Sequence, residues 1–374
     1  MNPKVSEISE DNNILRFTIT NINVSLANAL RRIMLSEIPT VVFRAFPHDK
    51  NDVDITANTS RLNNEIIKQR MSCIPIHITD IDFPIKDHII EIGRSNESST
   101  IEFVTTENIK IRNTKNNKYL ESSAVKKIFP PDPITRYFID ITRLRPRLSD
   151  SLPGEEISMK CKMSVGSAKE NSSFNVVSTC SYGAVMDPVK VNSVWTEKYK
   201  QLKKEKKTEE DIEYIKRDWM HLDAKRLILP DAFRFVVESV GVFSNMSIVE
   251  KASQIMLNKL TKMSDDVQSK DGMVETSKTT IPNSFDIRLE GEDYTLGKTI
   301  EYILYAKHYD IVSKTSDKSL TYCGFIKPHP HIDVSIIRIA FKDAVESDVV
   351  ISYLTSAAND AIAIFNSIKS DFTQ

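Results

Sequence analysis

The chain has 374 residues, 40% hydrophobic and 27% charged, enough apolar material for two or three domains with sizeable cores. Fifty basic residues against 51 acidic ones leave a net charge of −1, without the basic excess of a protein that holds nucleic acid by itself. Only nine glycines are available for phosphate-cradling loops, the four cysteines (Cys73, Cys161, Cys180 and Cys323) form no C-x-x-C pair, and no apolar run nears the ~20 residues of a membrane span.

The opening stretch, MNPKVSEISEDNN, is polar and acidic, unlike a secretory signal; the scattered cysteines make a reducing compartment the expectation, and the balanced charge points to protein partners before nucleic acid. Residues 13–22 alternate as a strand, with Leu15, Phe17 and Ile19 on one face. The run SLANALRRIMLSEI then repeats apolar residues at helical spacing (Leu26, Ala29, Leu30, Ile33, Met34). Ser25 is placed to cap it, and Pro39 ends it by pushing Ile38 out of the helical region. TVVF at 40–43 reads as a β-rich run. A second helix is expected over 60–71, capped by Thr59 or Ser60 and carrying Leu62, Ile66 and Met71, with CIPIHI as a short strand after it.

From about 77 to 190 short strand-like runs (HIIEI, TIEFVTT, YFIDI, ISMKCKMSV) alternate with Asn, Ser, Asp and Pro clusters, the texture of a β-rich insertion. Residues 193–224 are strongly charged and helical in pattern. Acidic Glu205, Glu209, Glu210 and Asp211 interleave with the lysines of 198–207, which favours a solvated helix over a nucleic-acid contact. FRFVVESVG at 233–241 alternates again, and Ser247-x-x-Glu250 opens a helix with Ile248, Ala252, Ile255, Met256 and Leu260 on one stripe. Residues 263–281 are polar and aperiodic, as in a linker. Beyond them come strand FDIRL, a helix from Thr295 to Ala306, strands YCGFI and VSIIRIAF, and a final helix. That helix carries Val350, Leu354, Ala357, Ala361, Phe365 and Ile368 as a seam suited to another helix.

The run Asn28-Ala29-Leu30-Arg31-Arg32-Ile33-Met34-Leu35-Ser36-Glu37-Ile38-Pro39 resembles the opening helix of RNA polymerase alpha-type subunits. So does Asn58-Thr59-Ser60-Arg61-Leu62-Asn63-Asn64-Glu65, leading through Arg70 to Ile74-Pro75. Phe233-x-Phe-x-Val-Glu238-Ser239-x-Gly241, followed by Ile248-Val249 and Lys259-Leu260, adds a third match to the third subunit of such enzymes. The C-terminal stretch is similar to the eleventh subunit, through Phe285-x-Ile287-x-x-Glu290-Gly291-Glu292-Asp293-x-Thr295-Leu296-Gly297 and Gly324-Phe325-x-x-Pro328-His329-Pro330. Asn64, Tyr294 and Lys298 depart from the usual residues, and the zinc-binding cysteine cluster of some relatives is absent.

The resemblance implies an α+β fold in which two alpha-type dimerisation modules share one chain. The first module would occupy 1–76 and 225–264, around a β-rich insertion domain at 77–224. A linker would span 265–281, and the second module 282–374. It implies a non-catalytic assembly subunit of DNA-directed RNA polymerase, without cofactor or metal, touching DNA and RNA only through the complex. Its partners would be the two largest subunits and small zinc-bearing ones, with no membrane. Arg31, Arg32, Glu65 and Arg70 would dock the large subunits. Leu30, Ile33, Ile255, Leu260, Leu296, Ile300, Val350, Leu354, Ala357, Ala361, Phe365 and Ile368 would pair the modules. Fusion of the two subunits resembles large DNA viruses of eukaryotes, hence virion and host cytoplasm, with the nucleus as the cellular alternative. The competing readings are an interaction scaffold outside transcription and an enzyme with its site in the insertion.

Residue by residue, simpler readings stand beside these. Arg31 and Arg32 sit about 100° apart on a helix, where arginine stems also serve to cover apolar surface. Glu292-Asp293 precedes a helix and offsets its N-terminal partial charge. His329-x-His331 lacks a third metal ligand, and Asp52-x-Asp54 and Asp80-x-Asp82 are ordinary loop carboxylates. No phosphate-loop, dinucleotide, zinc-protease or serine-hydrolase motif occurs.

Overall fold

The computed structural model describes residues 1–80, 83–147, 149, 153–269, 272–310 and 316–373. In chain order, β1 (Lys4–Asp11) and β2 (Ile14–Thr20) form a hairpin, followed by α1 (Val24–Ser36), β3 (Thr40–Val42), β4 (Val53–Asn58) and α2 (Asn64–Ser72). Next come β5 (His88–Ser95), β6 (Glu102–Thr105), β7 (Lys110–Asn113), α3 (Ser122–Ile128), β8 (Asp140–Leu144), β9 (Glu156–Cys161) and β10 (Ser164–Gly166). The chain continues with β11 (Val177–Met186), α4 (Pro188–Lys204), α5 (Glu209–His221), β12 (Ile228–Ser239) and α6 (Asn245–Ser269). It ends with β13 (Val274–Thr276), β14 (Ser284–Glu290), α7 (Tyr294–Leu304), β15 (Leu320–Ile326), β16 (Val334–Phe341) and α8 (Ser347–Ser370).

These elements form two compact units: residues 1–33, 179–238 and 245–374 in the first, 34–178 and 239–244 in the second. Residues 34–76, expected with the first module, fall in the second unit. Residues 179–224, expected with the insertion, fall in the first.

In the first unit, one sheet has the order β1-β2-β12-β11 and another β13-β14-β16-β15. The β1–β2 turn is Asn12-Asn13, both at positive φ, the two-residue turn whose twist suits a hairpin. Strand β2 buries Leu15, Phe17 and Ile19, and β12 buries Phe233, Phe235 and Val237, as their alternation predicts. Strand β1 escapes sequence reading because its residues are mostly exposed and polar, leaving no apolar period. The single charged helix expected over 193–224 is a hairpin of α4 and α5. The break comes at Thr208, whose side chain accepts from Asp211 N while Asp211 returns the bond, a capping box.

The second unit is built on the sheet β4-β9-β5-β7, with ribbons β6–β8 and β3–β10. Ile90, Ile92, Ile111, Ile157 and Met159 fill its core, with Ile67 and Met71 of α2. Here α2 starts later than expected. Ser60 donates to Asn58 Oδ1 (2.7 Å), and the cap is Asn63, whose Oδ1 accepts from Ile66 N at 2.9 Å. The later start turns Ile67 inward and leaves Ile66 43% exposed, so the buried stripe is Ile67–Met71. CIPIHI buries Ile74, Ile76 and Ile78 yet forms no strand; Pro75 lacks the N–H that a ladder would need.

Three further expectations shift. Asn23 rather than Ser25 caps α1, its Oδ1 accepting from Ser25 N at 2.8 Å. Helix α6 begins at Asn245, ahead of the Ser247 box. Fully buried Asn245 donates Nδ2 to Glu10 Oε1 (2.7 Å) and to Asn13 O (2.9 Å), tying the helix start to the β1–β2 turn. The expected linker is largely structured: α6 runs on to Ser269 with Met263, Ser264 and Val267 buried, and β13 pairs with β14. Leu260, Met263 and Val267 continue the helical stripe, a signal masked by the acidic residues between them. Lys270 and Asp271 lie outside the described residues.

Candidate functional site

Unit 1 brings the two halves of the sequence together along α6 and α8. Gln254 accepts from Lys369 Nζ at 2.8 Å and Gln268 donates to Thr355 Oγ1 at 3.5 Å. One helix advances as the other retreats, so they run antiparallel. Helix α8 buries Val350, Leu354, Ala357, Ala361, Phe365 and Ile368, and α6 buries Ala252, Met256 and Leu260. Ile255 lies at the edge of that stripe and is half-buried. Leu296 and Ile300 of α7, which packs on α8, are buried, as are Leu30 and Ile33 of α1. By length and composition alone α8 could cross a bilayer, yet its apolar side is packed within the protein.

Beyond α8, Phe372 meets Phe17 edge-on at 4.8 Å, and Phe17 stacks on Phe235 at 4.9 Å. The C-terminal end of the chain thereby enters the core of the N-terminal sheet. Such aromatic pairs contribute about 0.5–1.5 kcal/mol beyond their burial.

Polar bonds at the edge of this seam fix its geometry. Arg32 donates Nη2 to Asp293 Oδ2 at 2.6 Å and Nε to Thr295 Oγ1 at 2.9 Å. Asp293 also caps α7, its Oδ1 accepting from Thr295 N at 2.8 Å. One carboxylate thus starts α7 and receives a guanidinium from α1. Lys259 of α6 donates to Glu292 at 2.8 Å, both side chains mostly buried. Tyr302 of α7 hydrogen-bonds Asn23, and burial pushes its phenol pKa up.

Of the residues expected to dock large subunits, Arg32 is therefore engaged inside the chain. Its fork binds Asp293 and Thr295, 261 and 263 residues away. Arg31 folds back on Asn28 Oδ1 (3.1 and 2.9 Å). Glu65 is exposed at the start of α2, and Arg70, also exposed, donates to the Asp140 carbonyl at 2.7 Å. Glu65 and Arg70 belong to the second unit, Arg31 to the first. Sequence reasoning missed the Arg32–Asp293 and Lys259–Glu292 pairs. Their partners lie in separate motifs, and no local spacing joins them.

The lysines of α4 and α5 cover tryptophans: Lys198 lies over Trp219 and Lys216 over Trp195, with the rings 5.4 Å apart. Burial pushes the thiols of Cys161, Cys180 and Cys323 up to about 12, far from a reactive thiolate. Among the described residues no three His, Cys, Asp or Glu side chains converge as a metal site.

A profile of the RNA polymerase Rpb3/Rpb11 dimerisation domain matches residues 16–260. The chain is 24% identical over 308 residues to human DNA-directed RNA polymerases I and III subunit RPAC1, covering 72% of this chain and 85% of that one. It is 27% identical over 290 residues to the Dictyostelium discoideum rpac1 subunit (69% and 80% covered). To the Methanosphaera stadtmanae DNA-directed RNA polymerase subunit Rpo3 it is 25% identical over 182 residues (49% and 60% covered). The chain belongs to the RNA polymerase Rpb3/Rpb11 dimerisation family, as a non-catalytic alpha-type subunit and not an enzyme in its own right.

Proposed function

We propose that this chain is the assembly platform of a multisubunit DNA-directed RNA polymerase and carries both halves of the alpha-type pair. The third-subunit-like half comprises the segments before and after the β-rich unit, which is its insertion. The eleventh-subunit-like half is 282–374. The observation that supports this most is the antiparallel α6–α8 seam with its Arg32–Asp293 and Lys259–Glu292 pairs. The family profile ends at 260, and the strand–helix–two-strand–helix segment after it mirrors the strand–helix pattern before it. Covalent linkage places the halves at about millimolar effective concentration, so their pairing needs no encounter.

The paired platform would collect the two largest subunits through Arg31, Arg32, Glu65 and Arg70, with small zinc-bearing subunits alongside. Planar guanidinium forks suit carboxylates of such partners. A fused pair resembles large DNA viruses of eukaryotes and puts the protein in the virion and host cytoplasm; a cellular origin puts it in the nucleus.

Affinity purification of the tagged chain from cells that make it, followed by mass spectrometry, tests the proposal. Two very large polymerase subunits should co-purify, and they should be depleted when Arg31→Ala, Glu65→Lys and Arg70→Ala are combined in a chain of unchanged thermal stability. Recovery of the chain with no polymerase subunit overturns it.

A further inference from the structure

The second unit holds a recess of about 420 Å³ between the segment leading into α2 and strand β8. Leu62 and Ile101 give it an apolar wall, Ile101 being 56% exposed. Four guanidiniums rim it: Arg61, Arg70, Arg143 and Arg145. Among the described residues only Arg145 of these four pairs with a carboxylate, Glu155 at 2.5 Å. Arg70 spends a donor on a backbone carbonyl. Arg143 lies over the Phe103 ring at 4.8 Å, and neither it nor Arg61 has a carboxylate partner among the described residues. Asp140 is the one acid in the lining.

An apolar wall with uncompensated arginines around it, on a chain whose net charge is −1, is a local and not a global basic feature. Arginine forks select carboxylates, and the wall selects an apolar side chain between them. A nucleic-acid base fits less well, because no aromatic ring is among the lining residues to stack it.

We propose that this recess docks an acidic segment of a partner protein. The segment seats a leucine- or phenylalanine-sized side chain against Leu62 and Ile101 and lays flanking carboxylates on Arg61 and Arg143. Arg70 is shared with the proposed subunit-docking set, so the partner's identity as a polymerase subunit rests on that reading, whereas the chemistry of the recess does not.

Fluorescence anisotropy on the full chain tests it. The probe is a short fluorescein-labelled peptide alternating glutamate with leucine and phenylalanine. Its glutamine counterpart and a labelled single-stranded RNA of equal length are the controls. The acidic peptide should bind saturably, and Arg61→Gln with Arg143→Gln should weaken it about tenfold, as loss of two charge-assisted contacts implies. The same charge change made by Lys200→Gln with Arg217→Gln on α4 and α5 should leave binding intact, and both pairs should keep the parent's melting temperature. Absence of saturable binding, equal loss in the two pairs, or tighter binding of the RNA overturns the proposal. Peptide binding without co-purifying polymerase subunits leaves the recess standing and refutes the polymerase as its partner. Co-purification without peptide binding refutes the recess alone.

Discussion

Asp293 accepts a guanidinium from Arg32 and a backbone N–H from Thr295 through different oxygens. Asparagine at 293 keeps a capping acceptor and removes the charge. A cycle of Arg32→Gln and Asp293→Asn therefore isolates the ion pair. Because both side chains keep partial solvent contact (34% and 22%), the coupling should be about 1 kcal/mol by urea denaturation, nearer a surface pair than a buried one. A coupling of zero would mean that the fork does not hold α1 to α7. Asp286 offers a pH test. The Arg338 fork (2.6 and 2.7 Å) holds its carboxyl below the ordinary range, so the pair stabilises the fold above the unfolded carboxylate pKa and is lost as pH falls through the lower folded value. Arg338→Met should cost most at neutral pH and progressively less on acidification; a cost independent of pH would contradict this. For the thiols, alkylation of the folded chain at mildly alkaline pH should modify exposed Cys73 first and spare Cys161, Cys180 and Cys323, read by peptide mass spectrometry. What sequence could show at this scale was residue type and motif. Thr295-Leu296-Gly297 was recognisable, for example, but not why position 297 needs glycine. A Cβ there would lie 2.0 Å from the Phe325 ring, which rests on α7.

Amphipathic elements were legible because burial imposes a period. The α8 seam, the α6 stripe and the alternating faces of β2 and β12 all follow from apolar spacing alone. Helix starts were not, because Asn, Ser and Thr are near-equivalent caps and the chain supplies several in a row. Asn63 over Ser60 and Asn23 over Ser25 were decided by neighbouring hydrogen bonds. The end of α6 was missed because Asp265 and Asp266 interrupt its apolar residues, and β1 because its face is polar. The α6–α8 packing carries the strongest prediction at this scale. Leu354 is fully buried, and truncating such a leucine costs about 2–5 kcal/mol before any charge is introduced. Leu354→Asp should therefore lower the melting temperature steeply and expose dye-binding apolar surface. An unchanged melting curve would show that α8 does not need this seam.

At the scale of the whole molecule, the sequence marks a β-rich stretch flanked by strand–helix segments, but not where the compact units divide. Residues 34–76 and 179–224 changed sides because unit membership depends on contacts between distant strands, such as β11 lying beside β12 and β4 beside β9. The purified chain should show no template-dependent RNA synthesis with magnesium and nucleotides. The most direct test of a single chain supplying both halves of a paired platform is a protease site at Lys270, between the end of α6 and β13. Cutting there leaves β13 with its own sheet. Because each buried leucine or isoleucine of the seam contributes about 1.5–3 kcal/mol, the affinity should outlast the tether. After cleavage, fragments 1–270 and 271–374 should co-elute on gel filtration at micromolar protein, and Leu354→Asp should separate them. Fragments that part while each stays folded would contradict the account and send the C-terminal half to a partner in another chain.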